Sequence, residues 1–378
     1  MKKNAKLAVL ALLIATLLTV PFQPAARGFA PSVTTLKIGL YYGGAALSAA
    51  NLQNVTGFGE GYEFGYFDAN RAFVPLGATT GTVKISMLRD RNMYYDASQN
   101  IYLPGTSGSI VVGCYHIRLG AYTTCYEASV AAAGIADAFV KYDSGSFYVC
   151  VGNYTTADEA NAAASSRGLS GSITSGTAYT VAVVETGTNR MLFEFDDGTG
   201  RSLAVTPLTG ANGAKPQTWF KGYRYYGAFE YTRVGGEDLT VFNFVNIEDY
   251  TKGVLPYEMA NDWPLEALKA QAVCARTYAA SKIGAHSASG FDLCTTEHCQ
   301  VYRGMGSAND LTNRAVDETA GLYVTYDGKL CETYFSSCDG GATENVENVW
   351  SAALPYLRGV VDPYEADVAP SLSYYSWT

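Results

Sequence analysis

The chain has 378 residues, of which 48% are hydrophobic and 16% are charged. This composition excludes an intrinsically disordered protein, and the length is sufficient for two or three domains with buried cores. The 26 lysines and arginines against 35 aspartates and glutamates give a net charge of −9, which argues against a nucleic-acid partner because phosphate binding requires a basic surface. The 29 tyrosines are unusually many; we assign most of them to sheet packing, and stacking on sugar rings is the alternative.

Residues 1–30 have the pattern of an export signal. Lys2 and Lys3 precede an apolar run over 7–20, which is short for a membrane span, and the small residue Ala30 fits a cleavage site. An uncleaved N-terminal anchor is the alternative. Both alternatives place the protein outside the cytoplasm, where its eight cysteines could form disulfides.

The next region, 31–111, alternates apolar and polar residues between glycine-containing turns, as in Thr35–Tyr42. This pattern predicts short β-strands. No residue of the region has a recognisable chemistry, so we interpret it as the N-terminal β-rich part of a larger domain.

An internal repeat occupies the middle of the chain. When the sequence is shifted by 32 residues, Gly120–Ala133 aligns with Gly152–Ser165, and eight of the fourteen positions are identical. Each copy predicts a strand, then a Thr-Thr cap with a glutamate in the first turn, then an alanine-rich helix. Asp143–Gly145 predicts a hairpin between the copies, and Ala178–Val183 a final strand. The predicted order over 112–186 is β-α-β-β-α-β with an antiparallel, ferredoxin-like sheet.

The residues that suggest chemistry begin after residue 245. Pro264 and the apolar residues that recur at helical spacing behind it predict a helix that ends near Gly284. Glu258 precedes that helix among apolar neighbours, which would raise the pKa of its carboxyl group and suit it to donate a proton. Arg276, on the helix, could hold an anionic or oxygen-rich substrate. An ordinary surface glutamate is the alternative for Glu258.

A cluster of cysteines and histidines follows the helix. His286, Cys294, His298 and Cys299 make the complete donor set of a tetrahedral zinc site, and a set with no open position predicts a structural metal. A disulfide between Cys294 and Cys299, or two unrelated thiols, is one alternative. A cysteine hydrolase is another, although the adjacent His298 and Cys299 cannot easily act as base and nucleophile.

A short strand near the C-terminus ends in Ser336 and Ser337, and Gly340 and Gly341 follow. Glycines at this place allow a ligand to approach the backbone closely. We predict that the two serines hydrogen-bond a sugar, and a simple turn is the alternative.

Two parts of the chain resemble known families. Region 112–186, with its duplicated Gly-x-Tyr and Glu-Ala pattern, resembles the SPOR (sporulation-related repeat) domain. Region 240–360 resembles the stage II sporulation protein D (SpoIID/LytB) family. The motifs of that second resemblance are GVLPYEM at 253–259, WPLEALKAQAVCARTY at 263–278, HCQVY at 298–302, GGATE at 340–344 and VW at 349–350.

The SpoIID resemblance implies a lytic transglycosylase. Such an enzyme cleaves MurNAc–GlcNAc bonds in denuded, stem-peptide-free peptidoglycan glycan strands and forms 1,6-anhydroMurNAc, in cell-wall remodelling such as sporulation and engulfment. One carboxylate that acts first as acid and then as base suffices for this chemistry. A two-carboxylate glycosidase, with Asp249, Glu266 or Glu344 as the second acid, is not excluded by the sequence.

The same resemblance assigns individual roles. The catalytic glutamate falls on Glu258, and the family's functionally important arginine falls on Arg276. The predicted substrate contacts are Arg276, Gln300, Tyr302, Ser336 and Ser337. The zinc ligands fall on His286, Cys294, His298 and Cys299. We expect a structural Zn²⁺ and no organic cofactor.

The predicted architecture is therefore α+β: a β-rich SpoIID-type catalytic domain with one key helix, and an embedded ferredoxin-like SPOR domain. The catalytic part spans 187–378, and because the family domain normally extends further, we expect it to be C-terminally incomplete. The SPOR resemblance implies that 112–186 binds glycan, and the location implied is secreted and associated with the cell wall. The alternative function is a non-catalytic peptidoglycan-binding protein that recruits or stimulates a cell-wall amidase.

Overall fold

The computed structural model describes residues 34–368, so the predicted export signal at 1–30 lies outside the described residues. Strands outnumber helices there, which confirms the α+β class. The strands are β1 Thr35–Tyr41, β2 Ala49–Asn54, β3 Tyr62–Phe67, β4 Phe73–Thr80, β5 Lys84–Arg89, β6 Met93–Asp96, β7 Ile101–Pro104, β8 Val111–Val112, β9 Tyr115–Tyr122, β10 Ala138–Asp143, β11 Ser146–Tyr154, β12 Ser172–Ser175, β13 Val181–Glu185, β14 Met191–Asp196, β15 Leu203–Pro207, β16 Thr218–Phe220, β17 Tyr223–Tyr225, β18 Ala228–Arg233, β19 Leu239–Asn246, β20 Thr325–Tyr326 and β21 Lys329–Leu330. The helices are α1 Cys125–Ala132, α2 Ala157–Ser166, α3 Ile247–Glu258, α4 Leu265–Ser281, α5 Asp310–Glu318, α6 Glu347–Trp350 and α7 Glu365–Val368. Across residues 34–368, no helix combines the length and the apolar character needed to span a bilayer.

Two large sheets form most of the fold. The first has six strands in the order β1-β19-β18-β15-β3-β4, and the second has ten in the order β12-β9-β11-β10-β14-β13-β5-β2-β16-β17. One hydrophobic core includes residues of both sheets, and the rings of Phe64 in the first and Phe193 in the second stack with their centroids 5.2 Å apart. The strands predicted in 31–111 are present, and they are distributed over both large sheets and the small sheet β7-β6-β8.

The repeated region contains the predicted β-α-β-β-α-β succession. Its four strands have the order β12-β9-β11-β10, and every neighbouring pair is antiparallel. Thr124 and Thr156 cap α1 and α2, because each side chain accepts the backbone N–H of the glutamate three residues later. The position of the last strand was wrong. Residues 172–175 form it as β12, whereas β13 at 181–185 pairs with β5 and β14 instead.

The repeated region is continuous with the rest of the ten-stranded sheet, because β10 pairs in parallel with β14. A buried group of charged side chains lies across this junction. Glu194 Oε1 accepts from Lys141 Nζ over 2.6 Å, and Glu194 Oε2 lies 2.9 Å from His116 Nε2. Burial acts to raise the pKa of Glu194, but Lys141 and His116 outweigh it and lower that pKa. The identity of 112–186 as a SPOR domain stays a prediction.

Three helices gather behind the six-stranded sheet. The last strand of that sheet, β19, runs directly into α3, which packs against α4 and α5. Their shared apolar contacts are Leu255, Leu268, Ala272, Ala315 and Val316. This packing fixes the end of α3, where Glu258 lies.

Candidate active site

Glu258 precedes α4 as predicted, but it is also the last residue of α3, a helix that the sequence pattern does not predict. The Asn246 side chain caps the start of α3 by accepting the Glu248 N–H over 2.9 Å. Pro256 lies inside the helix, a place where proline normally interrupts the backbone hydrogen bonds, and it conceals the helix in the sequence. The helix ends because Met259 is extended, with φ −143°.

The Glu258 carboxylate is half-buried and lies against the loop 294–302. Its Oε1 accepts a hydrogen bond from the Val301 N–H over 2.7 Å. Burial raises the pKa of Glu258, the Val301 N–H opposes that rise, and the nearby negative charge of Glu297 adds to it. The C-terminal end of a helix also disfavours negative charge. Glu258 therefore keeps its proton at a higher pH than an ordinary glutamate, as a general acid requires.

The three carboxylates that the sequence left open as a second acid are engaged elsewhere. Asp249 is buried and forms an ion pair with Lys215. Glu266 is exposed and forms an ion pair with Lys269 over 2.8 Å. Glu344 is exposed and accepts hydrogen bonds from its own neighbouring turn.

Glu297 is the acid that sequence reasoning missed. Its charge acts on Glu258 and raises the pKa of that residue, although Glu297 is itself exposed. It stands beside His298 within the Cys-Thr-Thr-Glu-His-Cys run, where the metal-ligating residue types are the stronger chemical signal.

The four predicted metal ligands lie together. The possible ligand atoms of His286, Cys294, His298 and Cys299 are all within 4.8 Å of one another. His286 Nε2 is 3.2 Å from Cys299 Sγ, and His298 Nδ1 is 3.8 Å from Cys294 Sγ and 3.7 Å from Cys299 Sγ. Zinc bonds of ~2.0 Å to nitrogen and ~2.3 Å to sulfur place tetrahedral ligands roughly 3.3–3.8 Å apart. The donor set and its spacing fit a tetrahedral metal.

The other interpretations of the cysteines fit this geometry less well. Cys294 and Cys299 are both free thiols, so no disulfide joins them. His286 is close enough to Cys299 to act as a base, but burial raises the pKa of the Cys299 thiol to about 11. A nucleophilic cysteine needs a lowered pKa, so the raised pKa of Cys299 argues against a cysteine hydrolase.

Arg276 does not lie where a substrate contact was predicted. Its side chain is 0% exposed, and its guanidinium donates to the Glu248 carboxylate over 2.6–2.9 Å. The remaining N–H groups donate to the backbone oxygens of Val316 and Leu322 and to the hydroxyl of Thr319. The predicted substrate-binding role is therefore corrected: Arg276 connects α4 to the start of α3 and the end of α5.

Gln300 and Tyr302 also lie beneath the surface, each 1% exposed, and their predicted contact with substrate is corrected for the same reason. Gln300 Oε1 accepts from the Tyr250 hydroxyl over 3.2 Å, and the Tyr302 hydroxyl donates to Asn243 Oδ1 over 2.8 Å. Tyr302 packs so closely on α3 that a Cβ at Gly253 would stand 2.5 Å from its ring. Both residues therefore fix the loop whose Val301 N–H binds Glu258.

Ser336 and Ser337 are exposed, so their predicted contact with substrate is sterically open and stays a prediction. Ser336 lines a cavity of about 480 Å³ beside the stacked rings of Tyr334 and Trp350, whose centroids are 5.1 Å apart. The Tyr334 ring lies 6.4 Å from Tyr278 on α4. An aromatic surface therefore extends from α4 to the two serines.

Comparison with known proteins finds similarities for the part of the chain that contains Glu258. Residues 235–326 match the family model SpoIID, described as stage II sporulation protein. The chain is 47% identical over 140 residues to an uncharacterised protein of Brachyspira hyodysenteriae, 42% identical over 122 residues to the amidase enhancer of Bacillus subtilis, and 37% identical over 136 residues to stage II sporulation protein D of Bacillus amyloliquefaciens. The SpoIID resemblance inferred from the sequence is confirmed.

These similarities cover only part of each protein. The aligned segments are 37%, 32% and 32% of this chain, and 38%, 16% and 40% of the respective relatives. The family match ends at residue 326 and does not include 112–186. The SPOR resemblance accordingly rests on the repeat pattern alone.

Proposed function

We propose, from the match of residues 235–326 to the SpoIID family model, that this chain is a peptidoglycan lytic transglycosylase with Glu258 as its catalytic residue. The observation that supports the proposal most directly is the half-buried Glu258 carboxylate with its raised pKa. Its substrate would be denuded glycan, strands without stem peptides. The proposed biological process is cell-wall remodelling, as in sporulation and engulfment.

The reaction needs one group that first gives and then takes a proton. Protonated Glu258 donates to the oxygen of the MurNAc–GlcNAc bond as that bond breaks. The resulting carboxylate then accepts the proton of the MurNAc 6-hydroxyl, whose oxygen closes onto C1 as the 1,6-anhydro ring. The Val301 N–H holds the carboxylate in place and stabilises its ionised form between the two transfers.

A structural zinc ion is part of the proposal. His286, Cys294, His298 and Cys299 would hold it, and their spacing supports this assignment. A four-ligand zinc has no open position, so it supplies a fixed loop and takes no part in bond breaking. Three of its ligands lie within the seven residues before Val301, so the ion would set the position of the N–H that Glu258 accepts. No organic cofactor is required.

The proposed location is extracytoplasmic and cell-wall associated, through the export signal or anchor predicted in 1–30. The proposed partner is the glycan polymer, with 112–186 as an additional glycan-binding segment. A location outside the cytoplasm is compatible with a thiol-rich zinc cluster only if metal protects the thiols from oxidation.

The decisive experiment compares the unmodified protein with Glu258→Gln on denuded glycan strands. Glutamine keeps the size and the acceptor for Val301 but cannot donate or accept the proton, so release of 1,6-anhydroMurNAc products should fall by at least about a hundredfold. Glu266→Gln is the matched control, because Glu266 is exposed and engaged with Lys269. Undiminished anhydro product from the Glu258 variant would remove the assignment.

A second candidate function is supported by one relative, whose name is amidase enhancer. In that case the chain would bind glycan and stimulate a cell-wall amidase without cleaving the strand. Retention on denuded sacculi without soluble products, together with faster stem-peptide release by added amidase, would favour this function. Soluble anhydro products in the absence of amidase would favour the transglycosylase.

A further inference from the structure

A cavity of about 280 Å³ lies at the edge of the ten-stranded sheet, where β16 pairs with β2. This volume is near the lower end of the ~300–1,000 Å³ of small-molecule sites and suits one sugar ring. The side chains that line it include Asn51, Gln53, Lys84, Asn100, Trp219 and Lys221. Two lysines, several amides and one tryptophan thus face the cavity, and none of the described residues that line it is acidic.

The basic residues around this cavity are not neutralised by the protein. Within residues 34–368, Lys84, Lys221 and Arg224 have no carboxylate within 4.0 Å. Lys84 Nζ donates one hydrogen bond, to Asn100 Oδ1 over 3.0 Å, and so keeps two protons for a ligand. In a chain of net charge −9, two lysines that line one cavity without a carboxylate partner indicate an anionic ligand.

Lys221 occupies a strained backbone position, and Trp219 lies two residues before it. Lys221 and Gly222 form the two-residue turn between β16 and β17, with φ +49° and +85°. Asparagine and glycine are the residues such a turn prefers, so a lysine there is strained, and strain of this kind is concentrated at functional sites. Trp219, two residues earlier, is 39% exposed, and the Arg224 guanidinium lies 5.8 Å from its ring centroid.

Arg224, which lies beside Trp219 of the cavity, also contacts the segment that follows Val301. Arg224 Nη2 donates to the Met305 oxygen over 3.0 Å, and the Met305 N–H donates to the Arg224 oxygen over 2.6 Å. Met305 lies four residues after Val301, which binds Glu258. The cavity and the Glu258 site are therefore linked through Arg224 and the segment 301–305.

We propose that this cavity binds the MurNAc unit of a stem-free glycan strand, with Trp219 against the sugar ring and Lys221 and Lys84 on the lactyl carboxylate. An amidase that hydrolyses the lactyl amide leaves a carboxylate at this position, whereas an intact strand has a neutral amide there that continues into the stem peptide. The cavity thus distinguishes stem-free from intact strands by charge. The inference rests on the proposed function for the identity of the polymer.

The test measures binding by the 378-residue chain with Glu258→Gln, so that no strand is cleaved. The ligands are stem-free glycan oligosaccharides with the lactyl carboxylate and the same oligosaccharides with a lactyl carboxamide. Because a charge-assisted contact is lost, Lys221→Gln should weaken binding of the carboxylate form about tenfold and change the carboxamide form less than about twofold. Lys329→Gln is the matched control, an exposed lysine that likewise has no acidic partner within the described residues, and it should bind both forms like the unmodified surface.

Equal affinity for the two forms, or an equal effect of Lys221→Gln on both, would overturn the inference. Equal binding of oligogalacturonate would also overturn it, because the site would then accept any acidic sugar. If Lys221→Gln does not fold, Lys84→Gln replaces it. The salt dependence of binding by the protein with both lysines intact is a further measurement, because only the affinity for the carboxylate form should weaken between low and physiological salt. Failure of the proposed function can be distinguished from failure of this inference. In that case the chain with Glu258 intact would still bind the carboxylate form selectively but would release no anhydro product.

Discussion

The backbone N–H of Val301 donates to Glu258 Oε1 over 2.7 Å. This contact joins the end of α3 to the loop 294–302, so the acid and the cysteine and histidine cluster form one structural unit. The buried side chains of Gln300 and Tyr302, on either side of Val301, hold that loop against α3.

The first prediction concerns pH. Catalysis begins with protonated Glu258, so kcat/KM on denuded glycan should fall as pH rises through the raised pKa of this residue. Glu297→Gln removes a negative charge that contributes to that rise, so it should lower the pKa of Glu258 and move the fall in kcat/KM to lower pH. A pH–rate profile measures the shift. Glu266→Gln is the control, and an identical profile for Glu297→Gln would show that Glu297 does not act on the acid.

The second prediction concerns Arg276. Because its buried guanidinium neutralises Glu248, Arg276→Met should lower the free energy of unfolding by about 3 kcal/mol. Urea unfolding measures the loss. Arg314→Ala, which breaks an exposed pair with Glu318, is the control and should leave the free energy of unfolding nearly unchanged. A folded Arg276→Met protein with unchanged stability and a raised KM would instead restore the substrate-binding role.

Local patterns in the sequence carried the prediction of the repeated region and of α4. The threonine caps, the turn Asp143–Gly145 and the helical spacing after Pro264 depend on neighbours within a few residues, and the structure has each of them. The last strand of the repeat was misplaced because the composition of Val181–Glu185 predicts a strand but does not determine which strands it pairs with. Its partners, β5 and β14, are set by packing between distant segments.

The sequence was also sufficient to identify Glu258 and the four metal candidates, because residue type and spacing limit the chemistry that these residues can perform. It could not show which polar residues of the matching motifs face solvent. Arg276, Gln300 and Tyr302 are buried because α3, α5 and β19 close over them, and those contacts join residues up to 59 positions apart. The α3 helix was missed because Pro256 contradicts the usual propensity, which tertiary packing overrides here.

The third prediction concerns the metal. If His286, Cys294, His298 and Cys299 hold zinc, protein purified without chelator should contain about one equivalent, and Cys294→Ser less than about a tenth. Elemental analysis measures this directly. Cys114→Ser is the control, since Cys114 is a free, partly exposed cysteine outside the cluster. Loss of zinc should also lower the Tm, whereas metal-free protein with full stability and a Cys294–Cys299 disulfide would establish the alternative.

The fourth prediction concerns the buried charges that join the repeated region to the rest of the sheet. Glu194→Gln leaves Lys141 and His116 without their carboxylate, so the free energy of unfolding should fall by about 3 kcal/mol at pH 7. Glu185→Gln, on the exposed pair with Arg190, should cost less than about 1 kcal/mol. Urea unfolding of the three proteins measures both effects.

The pH dependence of the Glu194 effect has a definite sign. The pKa of Glu194 is lower in the folded chain than the ~4.3 of an unfolded glutamate. Its stabilising contribution is therefore complete above about pH 5 and declines as pH falls below about 4. The difference in free energy of unfolding between the unmodified protein and Glu194→Gln should accordingly narrow between pH 7 and pH 3.

Because His116 and Lys141 lie inside 112–186 and Glu194 lies outside it, the variant should also speed hydrogen exchange in β9 and β10. Separate unfolding of 112–186 in the unmodified protein would contradict this, because it would mean that the shared sheet does not couple the two parts.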